Sequence, residues 1–128
     1  MTSIDYIKLW IKKADDDLKV ARRELSIEDS VLDAVCFHFQ QAVEKYIKAY
    51  LIKVKGKVKR THNLAFLIEQ CIQLDSDFDK FEVAFDNISE CGVEIRYPDS
   101  FNAVDREEME DMLPVIENFR GLILNKIS

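Results

Sequence analysis

Two histidines, a run of cations and a polar stripe on one helical stretch are the groups in this chain that could do chemistry. His38 and His62 are its only histidines. His62 closes the stretch KVKGKVKRTH, which gathers Lys53, Lys55, Lys57, Lys59 and Arg60 in an otherwise acidic chain. A helix is expected to open just beyond it, capped by Thr61 or Asn63, and helix N-termini turn free N–H groups toward anions. Basic loop, Thr61, His62 and helix start together make a candidate phosphate site, with Lys57, Lys59, Arg60 and His62 as its contacts. The alternative is a solvated lysine-rich loop beside an ordinary capped helix. His38 lies at the edge of an apolar face, where it reads as a hydrogen-bonded boundary histidine or as an acid–base group. Arg96 and Tyr97 precede Pro98, which moves Tyr97 out of the helical region. They read as a loop anchor or as a cation and an aromatic ring at a cleft.

The polar stripe consists of Gln41, Glu44, Lys45 and Lys48, within FHFQQAVEKYIKAYL. Glu44 and Lys48 are spaced i,i+4 in the orientation that favours an intrahelical ion pair. Ala34, Phe37, Leu51 and Ile52 share the side of the helix that the stripe occupies. That mixture suits a cleft or a dimer seam, in which apolar residues supply area and Gln41, Glu44 and Lys48 set the register. The opposite face is wholly apolar: Phe39, Ala42, Val43, Tyr46, Ile47 and Tyr50. A helix apolar nearly all round is a buried one, so this element is expected at the centre of the fold.

Several chemistries have no signature here. There is no GxxxxGK[ST] or GxGxxG loop, no HExxH and no ExxH pair, so no metal site or cofactor is expected. Cys36, Cys71 and Cys91 are widely spaced and odd in number, as expected of reduced thiols in the cytoplasm. The N-terminal stretch carries acids and lysines where a secretory signal needs an apolar core. No apolar run is long enough to span a membrane.

The chain of 128 residues suits a single domain, 1–128, and is 48% hydrophobic and 33% charged, which fits a globular fold. With 3 Gly and 2 Pro it has few turn formers, so an all-α fold is expected. The net charge of −6 argues against a broad nucleic-acid-coating surface but leaves room for a local basic patch.

Helical spacing predicts a first helix from Ser3 to Leu25, capped by Thr2 or Ser3, with Ile4, Ile7, Ile11, Ala14, Leu18, Ala21 and Leu25 inward and Asp15, Asp16 and Asp17 either solvated or met by a basic partner. A second runs from Val31 to Val54, capped by Asp29 or Ser30 and stopped by Gly56. A third carries Leu64, Leu67, Ile68, Cys71 and Ile72 to about Gln73. A fourth follows a cap at Ser76 or Asp77 and runs to about Glu90, with Phe78, Phe81, Phe85 and Ile88 inward. A fifth begins between Asn102 and Asp105, with Met109, Met112, Leu113, Ile116, Phe119 and Ile123 inward and a kink or broken turn at Pro114. Together they predict an up-and-down antiparallel bundle of four to five helices.

FHFQQAVEKYIKAYL, the basic loop, THNL and RYPD together resemble the HEPN domain of prokaryotes. Ala14, Leu18 and Ala21 match the A…dL…A pattern near that domain's start, and the resemblance covers essentially the whole chain. It implies a bundle of four to five helices, often a homodimer. It further implies a partner nucleotidyltransferase, as in toxin–antitoxin pairs, and a nucleotide- or RNA-binding role. By motif it carries over Gln41, Glu44, Lys45, Lys48, His62, Arg96 and Tyr97. Many HEPN proteins are ribonucleases with an Arg followed four to six residues later by His. Here Arg22, Arg23, Arg60, Arg96, Arg106 and Arg120 all lack a His at that spacing; Arg60 and His62 are two apart. The expectation is therefore a non-catalytic binding module. The alternative is a metal-independent ribonuclease with a non-standard site built from His38 or His62 with Arg96.

Overall fold

The computed structural model describes residues 1–89 and 104–128. Five α-helices and one 3-10 turn account for the described elements: α1 (Ser3–Leu25), α2 (Leu32–Lys55), α3 (Leu64–Leu74), a 3-10 helix (Ser76–Phe81), α4 (Glu82–Ile88) and α5 (Arg106–Ile127). Cross-helix partners give their directions. Asp17 meets His38 and Lys45, Asp15 meets Tyr46, and Trp10 meets Lys48, so α1 and α2 run antiparallel. Arg106 reaches the α1–α2 connection while Ile127 packs near Ile7 and Ile52, so α5 runs with α2. Phe81 and Phe85 meet Phe119, and Ala84 and Asn87 lie by Met109 and Met112, so α4 opposes α5. The result is an up-and-down all-α bundle in which α3 joins the end of α2 to α4.

Local chemistry fixes most of the ends. Thr2 and Asp5 form a reciprocal capping box on α1. Gly56 ends α2 at φ 77°, a left-handed conformation that glycine adopts without steric cost. Asn63 accepts from the Phe66 N–H at 3.1 Å and starts α3. The fourth predicted helix is split: Asp75 caps a 3-10 turn, and regular α-helix begins only at Glu82. Neither Asp29 nor Ser30 caps α2. Its N-cap is Val31, and Ser30 instead donates to the Glu24 and Ile27 carbonyls. That turn is held by Arg106, whose guanidinium donates to the carbonyls of Leu25, Ile27 and Glu28. Pro114 does not break α5, which runs continuously from Arg106 to Ile127.

The core centres on α2, with Phe39, Val43, Tyr46, Ile47 and Leu51 essentially without solvent contact. Phe78, Phe81 and Phe85 surround Phe119, with ring centroids 4.8–5.9 Å from it in edge-on geometry. Two expectations for core residues change. Ile4 is exposed in the first turn of α1, although it stands one turn before the buried Ile7. Leu51 and Ile52 are buried within the chain, Ile52 against Ile7 and Ala49, so they are not free for a seam with another molecule. No helix among the described residues is long and apolar enough to cross a membrane.

The thiol expectation also changes. Cys71 is a free, buried thiol whose titration burial pushes up to about 12, but Cys36 is disulfide-bonded. Spacing along a chain does not show which sulfurs meet in space, so the cysteines no longer argue for a reducing compartment.

Asp15 and Asp17 are partly buried and each meets a basic partner, Arg120 for Asp15 and Lys45 with His38 for Asp17. Asp15 accepts from Arg120 Nε at 2.8 Å and from the Tyr46 hydroxyl. Burial pushes the Asp15 carboxyl up, but the Arg120 and Tyr46 hydrogen bonds and the Arg120 charge outweigh it, leaving Asp15 below the usual carboxylate range. The hydrogen bond from Lys126 lowers Asp75 likewise. A carboxylate depressed in the folded state takes its proton later than in the unfolded chain, so its contribution is present above the ordinary carboxylate value and fades below it. We expect stability to fall on acidification below about pH 4. Asp15→Asn should be less stable at neutral pH and flatter below that point, as read by urea unfolding at a series of pH values.

Candidate functional site

The polar stripe on α2 resolves into two separate groups. Gln40, Glu44 and Lys48 succeed one another at i,i+4, so they form one row on the helix. The Glu44 side chain is 2% exposed and that of Lys48 is 8%. Lys48 Nζ lies 2.9 Å from Glu44 Oε1, and His62 Nδ1 lies 2.7 Å from the same oxygen. Gln40 Nε2 donates to Glu44 Oε2 at 3.2 Å, and Gln41 Nε2 donates to Gln40 Oε1 at 2.8 Å. Both oxygens of the buried carboxylate are thus engaged, as a charge out of water requires. The Lys48 ammonium also sits 5.2 Å from the centroid of the Trp10 ring, within cation–π range.

Of these residues, Trp10, Lys48 and His62 line a cleft of about 530 Å³. Its walls are the first turns of α1 (Thr2, Ser3, Tyr6, Trp10), the end of α2 (Lys48, Ile52) and the loop from Gly56 to His62. Gly56 turns the chain back, Val58 packs partly buried onto Ile52 and its neighbours, and His62 ties the far end of the loop to Glu44. Lys57, Lys59 and Arg60 therefore line the cleft and are themselves exposed. Lys59 Nζ also lies 5.4 Å from the Phe66 ring centroid. Three exposed cations above a buried, internally neutralised floor favour an anion in the cleft.

His38 and Lys45 belong to the second group. Asp17 of α1 takes His38 Nδ1 at 2.9 Å on one oxygen and Lys45 Nζ on the other. His38 also packs edge-on against Phe37, with ring centroids 5.3 Å apart, and Phe37 is 38% exposed. None of Phe37, His38, Gln41 and Lys45 lines the cleft. His38 and Lys45 stand near Glu44 in sequence, but at about 100° per residue they point roughly 100–120° away from it around the helix. Arg96 and Tyr97 lie outside the described residues. No group of three or more His, Cys, Asp or Glu side chains gathers to hold a metal among the described residues.

Three site residues escaped the sequence reading. Gln40 is fully buried beside Glu44, and its i,i+4 spacing to that residue was the available signal. Trp10 and Tyr6 form the aromatic wall, their rings 6.5 Å apart at 66°. No spacing rule links them to a loop some fifty positions away.

The description "HEPN domain" matches residues 7–127. The chain belongs to the HEPN family. Over 63 residues it is 44% identical to a protein of Methanocaldococcus jannaschii named "Putative toxin MJ1304", a match covering 47% of this chain and 38% of that relative. The HEPN domain here thus spans well under two thirds of that relative's length. It also superposes on the crystal structure of TT1696 from Thermus thermophilus with a TM-score of 0.73 at 22% identity, covering 94% of this chain and 97% of the other. That likeness shows a common fold.

The buried Glu44–Lys48 pair generates a stability prediction for this HEPN domain. Glu44→Leu strands the Lys48 ammonium and removes the partner of His62 and Gln40, and should cost about 3–5 kcal/mol. Adding Lys48→Met should restore most of that loss. Urea unfolding of the two variants measures both effects, and an equally unstable double variant would show that the ion pair itself carries the stability.

Proposed function

We propose that this HEPN domain is a binding module of a toxin-like system that holds a nucleotide or an RNA phosphate in the cleft between α1 and the basic loop. The observation that carries this reading is the convergence of Lys57, Lys59 and Arg60 on one cleft, above Lys48 and His62, in a chain of net charge −6. Cations clustered against an acidic background supply local affinity for phosphate without a general affinity for polyanions. The aromatic wall of Tyr6 and Trp10 offers an apolar surface of the kind that small-molecule clefts pair with a few fixed polar groups. The toxin name of the M. jannaschii relative supports a place in a toxin-like pair. A nucleotidyltransferase partner is part of the proposal, on the family resemblance. So is a homodimer, and the exposed Leu9 and Val20 on one face of α1, with Phe37 on α2, support an apolar contact surface.

A second reading, a metal-independent ribonuclease, is favoured by one observation: His62 is held by a carboxylate at the edge of the cation cluster. His38 serves this reading poorly, since it pairs with Asp17 away from the cleft. RNA cleavage by purified protein that His62→Ala abolishes and His38→Ala leaves intact would replace the binding module with the enzyme.

Changing Lys57, Lys59 and Arg60 together to Glu should lower affinity for a nucleotide monophosphate at least about a hundredfold, since each cation contributes to phosphate binding. The melting temperature should stay within a few degrees, because all three side chains are exposed. Unchanged affinity in a titration would remove the loop from the site. Native mass spectrometry of the gently purified protein should show a dimer, and a monomer at micromolar concentration would remove the homodimer.

A further inference from the structure

The Glu44–His62 contact decides which nitrogen of the imidazole is offered to a ligand. Glu44 Oε1 already accepts from the Lys48 ammonium at 2.9 Å, and an ionised carboxylate can only accept. The nitrogen facing that oxygen at 2.7 Å, Nδ1 of His62, therefore carries a proton. In the uncharged ring this leaves Nε2 with a lone pair and no hydrogen. The His62 side chain is 79% exposed on the cleft wall, so Nε2 is open to an incoming group. Its loop neighbours Lys57, Lys59 and Arg60 have charged ends that can only donate. The cleft thus sets a fixed acceptor among fixed donors.

A phosphate answers the donors alone. A ligand that carries a hydroxyl beside its phosphate answers both. We infer that His62 Nε2, held as an acceptor by Glu44, reads a hydroxyl adjacent to the ligand phosphate, so that the cleft prefers a ribonucleotide to its 2′-deoxy counterpart. His62 is then the specificity-determining residue and Glu44 a positioning residue that acts through it. The inference rests on the cleft being the phosphate site proposed above. A cleft of about 530 Å³ lies within the usual range for sites of small organic ligands. The preference is modest in size, because an exposed imidazole gives one hydrogen bond in competition with water.

Trp10 is the single tryptophan and lines the cleft, so its fluorescence reports occupancy. The experiment titrates the whole chain at pH 8 with adenosine 3′-monophosphate, its 2′-deoxy analogue and inorganic phosphate. The ribonucleotide should bind about tenfold more tightly than the deoxynucleotide, the scale of one hydrogen bond. His62→Ala should weaken only the ribonucleotide, bringing the two together, while Arg60→Ala should weaken both alike. Equal binding of the two nucleotides by the wild-type chain would overturn the inference and leave the phosphate cleft standing. A preference that survives His62→Ala would overturn it as well. Failure of all three probes to bind would instead remove the phosphate reading on which it rests. Nitrogen-15 NMR of the free protein gives a readout that a merely structural histidine would not move: the His62 proton should reside on Nδ1, and a proton on Nε2 in the uncharged ring would sink the proposal.

Discussion

A carboxylate almost without solvent sits in the middle of the central helix, and the geometry of the cleft follows from it. Glu44 cannot stay charged inside a bundle unless its oxygens are matched. Two partners come from its own helix, Lys48 one turn on and Gln40 one turn back. The third, His62, comes from the far side of the basic loop. That contact draws the loop down onto α2, and Val58 fills the space beneath it against Ile52 and Ile7. Lys57, Lys59 and Arg60 are thereby placed over the cleft. Buried ion pairs add little net stability compared with apolar packing of the same volume. The yield of this one is positional.

The same helix solves a second problem on another face. α1 places Asp15 and Asp17 against α2, where Tyr46, His38 and Lys45 receive them, and Arg120 of α5 completes the set. These contacts tie three helices together at mid-height and fix how far α1 slides along α2. Since the first turns of α1 supply Tyr6 and Trp10 to the cleft, the register of the α1–α2 pair sets the width of the cleft. One polar system holds the helices in register, and the other shapes the opening at the end of the bundle.

The bundle was legible in the sequence because its signals are local. Apolar spacing marked Ala14, Leu18 and Ala21, and Phe78, Phe81 and Phe85, as inward-facing, and Gly56 and Asn63 marked helix ends through their own backbone and side-chain chemistry. The cap at Ser30 was misread because a serine hydroxyl serves a carbonyl as readily as an N–H, and here Arg106, from 76 positions away, stabilises that choice. The site was half legible. Glu44, Lys48, His62 and the loop cations stand near one another in the chain and also in space. Lys45 and His38 stand near them in the chain only, because about 100° per residue carries them round to Asp17 of α1, while Gln41 reaches Glu44 through Gln40. Trp10 and Asp17 could not be paired with α2 from periodicity, which says which face of a helix is buried but not what it is buried against.

The charge pattern also bears on what the cleft can hold. The acids outnumber the bases by six, yet Asp15, Asp17, Asp75 and Glu44 are each matched by cations, and Asp5 is occupied in capping α1. Lys57 and Arg60 make no ion pair among the described residues, so the cleft keeps its positive charge locally. Farther out the excess acid returns, with Glu107, Glu108, Glu110 and Asp111 exposed on the first turns of α5. Over distances beyond about 8–10 Å in physiological salt that field is screened, but within it a like charge is repelled. A long nucleic acid crossing the surface would meet both fields, whereas a mononucleotide or a chain end would meet the favourable one alone. For the proposed ligand, the distribution of charge therefore favours a compact anion seated at the end of the bundle over a strand laid along its side.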